Sequence, residues 1–332
     1  MKKDIFEAIQ NDIMNSNLNE DERNKMLKNV MSLKEKKVNI MITGATGCGK
    51  SSTINALFDT EVAKVGEGTD PETTGIDRYE LDNLILWDTP GLGDGAEADR
   101  RHTQDILNKL SEVDANGKAV IDLVLVILDG GTRDLGTSYD LINKVIIPNL
   151  GENKENRILV AINQADMAMK GRNWDSERNE PNEVLVEFLE SKVESVKKRI
   201  YESTGVDIEP IYYSAGYKEA GKMQSRPYNL SKLLYYIVKS TPSDKRVVYA
   251  NNINSDDEMW QDDDKQINYN EETRRNIFES IVAGASEGAL RGAELGSTIG
   301  EIFGSKGKAV GRIIGTIAGG VLGGALGGLR WF

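Results

Sequence analysis

The sequence predicts an α/β fold with a mostly parallel sheet covered on both faces. Three observations support this. From residue 38 to about 242, short apolar runs alternate with amphipathic stretches of helical period. The first apolar run, 38–43, ends in Gly44-Ala45-Thr46-Gly47-Cys48-Gly49-Lys50-Ser51-Ser52, which fits G-x-x-x-x-G-K-[ST], and a helical pattern follows at once. The strand-before, helix-after setting that this pattern requires is therefore present. At 332 residues the chain is long enough for one large or two modest domains with a real core.

In chain order, residues 4–36 predict two helices. Ile5, Phe6, Ile9 and Ile13 share one face, and Met26, Leu27, Val30 and Leu33 share another, across a polar break at 15–24. We expect this hairpin to pack on the next domain; a partner-binding arm is the other use of such a pattern. Strands are predicted at 38–43, 84–88, 120–128, 158–163 and 210–214, and helices at 96–113, 138–150, 182–203 and 230–240. The polar, alternating stretch 75–81 reads as an edge strand that turns through Asp82-Asn83 to pair with 84–88.

Four segments follow: N-terminal helices at 1–37, the α/β domain at 38–242, an acidic linker at 243–272 and a glycine-rich helical hairpin at 273–332. The linker is read as solvated because Asn251 to Glu272 carries eight acids against Lys265 alone. In the tail, glycines stand at 284, 288, 292, 296, 300 and 304, then at 307, 311, 315, 319, 323 and 327. Small residues at this spacing let helix backbones approach closely, as in a glycine zipper. Residues 313–329 hold no charge, lie between Arg312 and Arg330, and precede Trp331 and Phe332. Two readings of the tail stay open: association with a membrane, or a soluble hairpin packed closely on another surface.

Composition narrows the classes. The net charge is −12, with 53 acids against 41 Lys and Arg, which argues against DNA or a general nucleic-acid partner. A single cysteine means no intrachain disulfide, as in a reducing compartment, and the start of the chain lacks the apolar core of a signal peptide. We expect a cytoplasmic protein, peripheral to or inserted at the inner face of the membrane if the tail works there.

The motif over Gly44 to Ser52 is expected to cradle phosphates with successive N–H groups at a helix N-terminus. Lys50 would lie along the β- and γ-phosphates and Ser51 would offer its hydroxyl to Mg²⁺. Asp88-Thr89-Pro90-Gly91 closes the strand at 84–88, so Asp88 is expected on the magnesium ion and the Gly91 N–H at the γ-phosphate. The polar loop at 65–75 suits a switch, with Thr74 the first choice and Thr73 the second for sensing the metal. After the strand at 158–163 comes Asn163-Gln164-Ala165-Asp166. The Asp166 carboxylate can accept from guanine N1–H and the 2-amino group, a donor pair that adenine lacks. Ser214-Ala215-Gly216 would add a backbone N–H for guanine O6. Catalysis would then rest on Lys50, Thr74 and Gly91.

These five elements, in this order, make residues 38–242 resemble the translation-factor-related P-loop GTPases, most nearly the Era-like and septin-like members with D-T-P-G. Immunity-related and dynamin-like GTPases are similar in overall plan. The resemblance implies a Ras-like sheet, GTP and GDP as ligands, Mg²⁺, and slow hydrolysis that switches loop conformation. Three residues depart from the pattern. Gln164 replaces the usual Lys, which predicts weaker stacking on the base. Gly47 replaces the Asn of potassium-activated relatives, so no such potassium site is expected. Leu92 stands where small GTPases place a water-orienting Gln, so turnover should be slow and helped by a partner or by a second G domain in a homo-oligomer.

Smaller candidates are His102, expected as an exposed surface residue, and Arg133, expected in a loop salt bridge rather than as an arginine finger. Cys48 lies beside N–H donors and Lys50, which predicts a lowered thiol pKa and thiol reactivity blocked by GTP. The favoured expectation is a GTPase whose tail couples nucleotide state to membrane association or self-assembly. The alternatives are a soluble switch in ribosome assembly or stress response with the tail as a docking hairpin, and a scaffold that binds GTP without hydrolysing it.

Overall fold

The computed structural model of the chain describes residues 5–15, 19–58, 75–93, 95–217, 225–254, 256–261 and 263–285. The switch loop up to Thr74 and the glycine-rich tail from 286 onward lie outside the described residues. So do residues 1–4 of the N-terminal segment.

Two helices lead, α1 (Ile5–Asn15) and α2 (Glu20–Lys34). Asn19 and Glu22 close a capping box at the start of α2, which satisfies two otherwise orphaned N–H groups. The apolar faces expected for this hairpin are the buried ones: Ile5, Phe6, Ile9, Ile13, Met26, Val30 and Leu33 all enter the core. The α/β domain follows as β1 (Val38–Gly44), α3 (Lys50–Phe58), β2 (Asp77–Leu81), β3 (Leu84–Asp88), α4 (Ala96–Leu110) and β4 (Leu123–Asp129). Next come α5 (Gly136–Asp140), a π-helical stretch Leu141–Ile146, α6 (Ile147–Asn149) and β5 (Ile158–Asn163). A two-stranded ribbon, β6 (Trp174–Asp175) and β7 (Glu180–Pro181), precedes α7 (Glu183–Thr204), β8 (Ile211–Tyr212) and α8 (Leu230–Ser240). The last described helix is α9 (Tyr269–Ala285).

Among the described residues, six strands form one sheet in the order β2-β3-β1-β4-β5-β8, parallel throughout except for the antiparallel edge strand β2. The expected α/β class, edge strand included, is the observed one. Strands β1, β4 and β5 are buried almost end to end, as a sheet covered on both faces requires. Because β1 lies between β3 and β4, the chain leaves it in one direction and returns on its other side. That topological switch point is where open α/β sheets bind ligands, and β1 ends there in the Gly44–Ser52 loop.

Two boundaries differ from expectation for local reasons. The strand predicted from residue 120 begins at Leu123, because Asp122 is taken up by the Asn39 N–H (2.9 Å) and the Lys245 ammonium (2.7 Å). The helix predicted at 138–150 widens into a π-turn before Pro148, which has no N–H to continue the regular ladder.

The acidic stretch 243–272 is not a solvated linker. Asp263 pairs with Arg226 at 3.0 Å and accepts the Asn229 N–H at 2.7 Å. Asp264 meets Lys232 at 2.7 Å, with both side chains buried. Trp260 is buried too and donates to the Asn254 carbonyl, while Asn254 itself binds Ala56 O and Leu57 O at the far end of α3. Charge counting along the stretch cannot see the cations waiting on the α/β domain. The expected boundary at 273 also falls within α9, whose Ile277, Ile281 and Ala285 are core residues. Gly284, first of the periodic glycines, shows why: a Cβ there would meet the Leu33 methyl carbons at 2.3–2.8 Å, so α9 lies directly on α2. Asn29 of α2 adds a hydrogen bond to Ala285 O at 3.0 Å.

Candidate nucleotide site

The phosphate loop leaves β1 at Gly44 and enters α3 at Lys50. The Lys50 ammonium is buried and donates to Gly44 O (3.3 Å) and Ala45 O (3.2 Å), which keeps the loop curled round its own lysine. Among the described residues, the N–H groups of Gly47 and Gly49 have no hydrogen-bond partner. Unpaired N–H groups at a helix start are what an anion needs. Ser51 and Ser52 follow Lys50 in the first turn of α3.

The base motif closes on this loop from β5. Asn163 is buried and acts as a brace, donating to Cys48 O at 2.9 Å and accepting the Ala215 N–H at 2.9 Å. One side chain thus joins the phosphate loop to the Ser214-Ala215-Gly216 turn. Gln164, in a left-handed backbone conformation, donates to Gly47 O at 2.8 Å. Its amide therefore ties the base motif to the phosphate loop, a role that stacking alone does not suggest. Asp166 is half-buried and receives the Ser214 hydroxyl at 2.6 Å, which ties it to the Ser214-Ala215-Gly216 turn.

Asp88 ends β3 beside Lys50 and Ser51. It is 1% exposed, and neither carboxylate oxygen has a hydrogen-bond partner among the described residues. Burial raises its pKa to about 6; the Lys50 charge pulls it down, Asp77 pushes it up and the nearby Ser51 hydroxyl pulls it down, without reaching hydrogen-bond geometry on either oxygen. A carboxylate left unpaired in the core is costly unless something positive completes it. The donor set, one carboxylate and the Ser51 hydroxyl at the foot of a phosphate cradle, fits Mg²⁺ bound together with nucleotide phosphates. No group of three or more His, Cys, Asp or Glu suited to an all-protein metal site occurs among the described residues. Thr74 and Thr73 lie outside them.

The D-T-P-G segment runs on past β3 along the phosphate loop. Leu92 N–H donates to Gly44 O at 3.3 Å and Thr46 N–H to Leu92 O at 3.0 Å. Gly91 packs so tightly against Thr46 that a Cβ would lie 2.2–2.6 Å from it. The Leu92 side chain turns into the core with Ile106, Leu110 and Leu135, away from this opening.

Two expectations are corrected here. Cys48 is fully buried, and that burial raises its thiol to about 11 against the pull of Lys50; Asp129 and Asp88 add to the rise. Proximity to cations does not lower a pKa when desolvation is the larger effect. His102 is not a surface residue: it is buried on α4, with Nδ1 3.2 Å from Gly91 O. Arg133 is exposed, and the salt bridge expected of it is not seen among the described residues. Lys192 of α7 is a residue that sequence reasoning does not single out. It donates to Asp129 O, Gly130 O and Thr132 O at 2.7–3.1 Å, pinning the loop that follows β4.

Residues 39–164, less than half of the chain, match the family model described as 50S ribosome-binding GTPase. Translocase of chloroplast 126 from Physcomitrium patens is 35% identical over 103 residues, 29% of this chain and 9% of that protein. The uncharacterized protein YfjP of Escherichia coli (strain K12) is 28% identical over 169 residues, 50% of this chain and 54% of that one. The chain thus spans about a tenth of the first relative and about half of the second. Among solved structures, the LeoA bacterial dynamin GTPase from ETEC is 15% identical, covering 85% of this chain and 45% of that chain at a TM-score of 0.42. The chain contains a P-loop GTPase domain of Ras-like fold.

Proposed function

We propose that this protein binds GTP and GDP with Mg²⁺, hydrolyses GTP slowly, and couples its nucleotide state to membrane association or self-assembly through the chain beyond α9. The observation that carries the first part is the convergence of Asn163 and Gln164 on the carbonyls of Cys48 and Gly47, with Asp166 held by the Ser214 hydroxyl. Phosphate cradle and base reader are thereby one hydrogen-bonded unit.

In this reading Asp166 selects guanine, because a purine without the N1–H and 2-amino donors would leave its carboxylate unpaired. Lys50 and the loop N–H groups bind the β- and γ-phosphates. Ser51, Asp88 and Thr74 would hold the metal, which when bound supplies positive charge against the phosphate oxygens. Gly91 offers its N–H to the γ-phosphate. Leu92 cannot orient water and is packed in the core, so the protein depends on another group, from a partner or a second copy, to speed hydrolysis. The likeness of its motifs to those of Era-like and septin-like GTPases supports the switch; a cytoplasmic site of action at the inner face of a membrane is part of the same proposal. No helix among the described residues is long and apolar enough to cross a membrane.

Nucleotide binding is tested by titrating fluorescent GDP and ADP into wild type and Asp166→Ala. GDP is expected to bind at least about a hundredfold more tightly than ADP, and Asp166→Ala to remove most of the difference. Equal affinities in wild type would sink the guanine reading. For the tail, co-sedimentation with anionic vesicles should compare the full chain with one ending at Ala285, in both nucleotide states. Ending the chain at residue 272 would delete most of α9 and confuse unfolding with lost binding. Equal sedimentation of both chains would refute the membrane arm and leave concentration-dependent self-association to be read by ultracentrifugation.

A further inference from the structure

We propose that His102 is a positioning residue for the γ-phosphate contact, acting through the Gly91 carbonyl; the inference rests on the GTP reading above. A carbonyl oxygen can only accept, so the 3.2 Å contact requires the proton on Nδ1, which fixes the imidazole tautomer. Three residues earlier on α4, and so on the same face, Asp99 accepts the Gly93 N–H at 2.9 Å. Helix α4 therefore grips the segment on both sides of Leu92, once with a donor and once with an acceptor. Leu92 itself is joined to the phosphate loop through Gly44 O and the Thr46 N–H. Within this held segment Gly91 is buried, its carbonyl is occupied, and its N–H has no hydrogen-bond partner among the described residues. A buried peptide N–H left unpaired beside a phosphate loop is poised for an anionic oxygen.

His102 thus orders Gly91 before the ligand arrives, and only a nucleotide with a γ-phosphate uses the benefit. GDP reaches the cradle without it. A side chain that merely filled space would affect both nucleotides alike. The discriminating quantity is the ratio of affinities for a non-hydrolysable GTP analogue and for GDP.

The experiment measures that ratio by calorimetry at saturating Mg²⁺ for the full-length wild type, His102→Ala and His102→Asn. The Asn amide nitrogen can take the place of Nδ1–H. His102→Ala should weaken the GTP analogue about five- to tenfold, the loss of one hydrogen bond, while GDP changes less than about twofold. His102→Asn should bring the ratio back to within about twofold of wild type. Thermal melts of all three proteins with GDP bound show whether each variant is folded. Asp99→Ala, which removes the companion grip, should shift the ratio in the same direction if His102→Ala does not fold. Should wild type bind both nucleotides and His102→Ala weaken them equally, or His102→Asn fail to restore the ratio, His102 is a packing residue and the inference falls alone. Should wild type bind neither nucleotide, the GTP reading falls with it.

Discussion

Buried carboxylates occur in two regions of this molecule, and they are treated in opposite ways. On the face where the acidic stretch docks, Asp263 and Asp264 each meet a cation and each accept a backbone N–H. At the end of β3, Asp88 is buried more deeply and is given no hydrogen-bond partner among the described residues. The first arrangement is complete without a ligand and holds chain to chain. The second has the nearby Lys50 charge but no hydrogen bond to set against its burial, and its pKa is raised to about 6. Burial alone therefore does not mark a functional acid; burial without a partner does.

The largest test of this contrast is on the paired side. Lys232→Ala would leave Asp264 buried without its cation, held by the Gln266 N–H and the Tyr269 hydroxyl, and should cost about 3 kcal/mol in urea unfolding. Replacing both residues together by Met and Leu should cost far less, since no charge is then stranded. A loss below about 1 kcal/mol for Lys232→Ala would mean that the stretch is solvated, and the contrast would break.

On the unpaired side the sign reverses. In chelator and without nucleotide, Asp88→Asn should stabilise the protein at pH 7 by about 1–3 kcal/mol. The folded-state pKa lies above the unfolded value, so wild type should lose stability as pH rises from about 4 through 6, the range of the raised group. The Asn variant should lack this contribution, leaving that of other buried acids such as Asp122 and Asp263, and its Mg²⁺-dependent nucleotide affinity should fall. Melting curves across that pH range, with and without Mg²⁺ and GDP, provide the check. Parallel profiles for wild type and Asp88→Asn would count against a raised Asp88 carboxyl.

A smaller effect sharpens the docking side. Gly284→Ala must push back the Leu33 methyls, a flexible side-chain end, and should cost about 1–2 kcal/mol. Combining it with Leu33→Ala should cost less than the two single changes added. Smallest in energy is Cys48, a buried ionisable group that stays neutral. With its pKa near 11 in place of 9, its thiolate population at pH 8 is about a hundredfold lower than that of an ordinary thiol. Labelling by a thiol reagent should be at least that much slower than for a free cysteine, whether or not nucleotide is bound. Fast labelling of the folded, nucleotide-free protein would restore the reactive-thiol expectation.

Much of this is legible in the sequence wherever the information is contiguous. Gly44 to Ser52, Asp88 to Gly91 and Asn163 to Asp166 are short runs at the ends of β1, β3 and β5, and apolar period alone locates those strands. What stays hidden depends on residues that meet only in space. His102 reaches Gly91 because α4 folds back over the segment, and nothing near position 102 announces it. Asp263 and Asp264 read as linker because their cations lie at positions 226 and 232. Gln164 reads as a loss of stacking, since its bond to Gly47 O belongs to the fold. Cys48 misleads for a different reason: the sequence shows the neighbouring charge but not the depth of burial, and burial outweighs the charge.

The two bonds from Asn254 to the carbonyls of Ala56 and Leu57 have a mechanical meaning. Helix α3 is nine residues long, a stiff rod of roughly 13 Å. One end carries Lys50, and the other is fastened to the chain that runs on through Trp260 to α9. Any tilt or slide of the rod on loading nucleotide must carry Asn254 with it or break both bonds. The chain leading to α9 is thereby fastened to the far end of the rod that begins at Lys50.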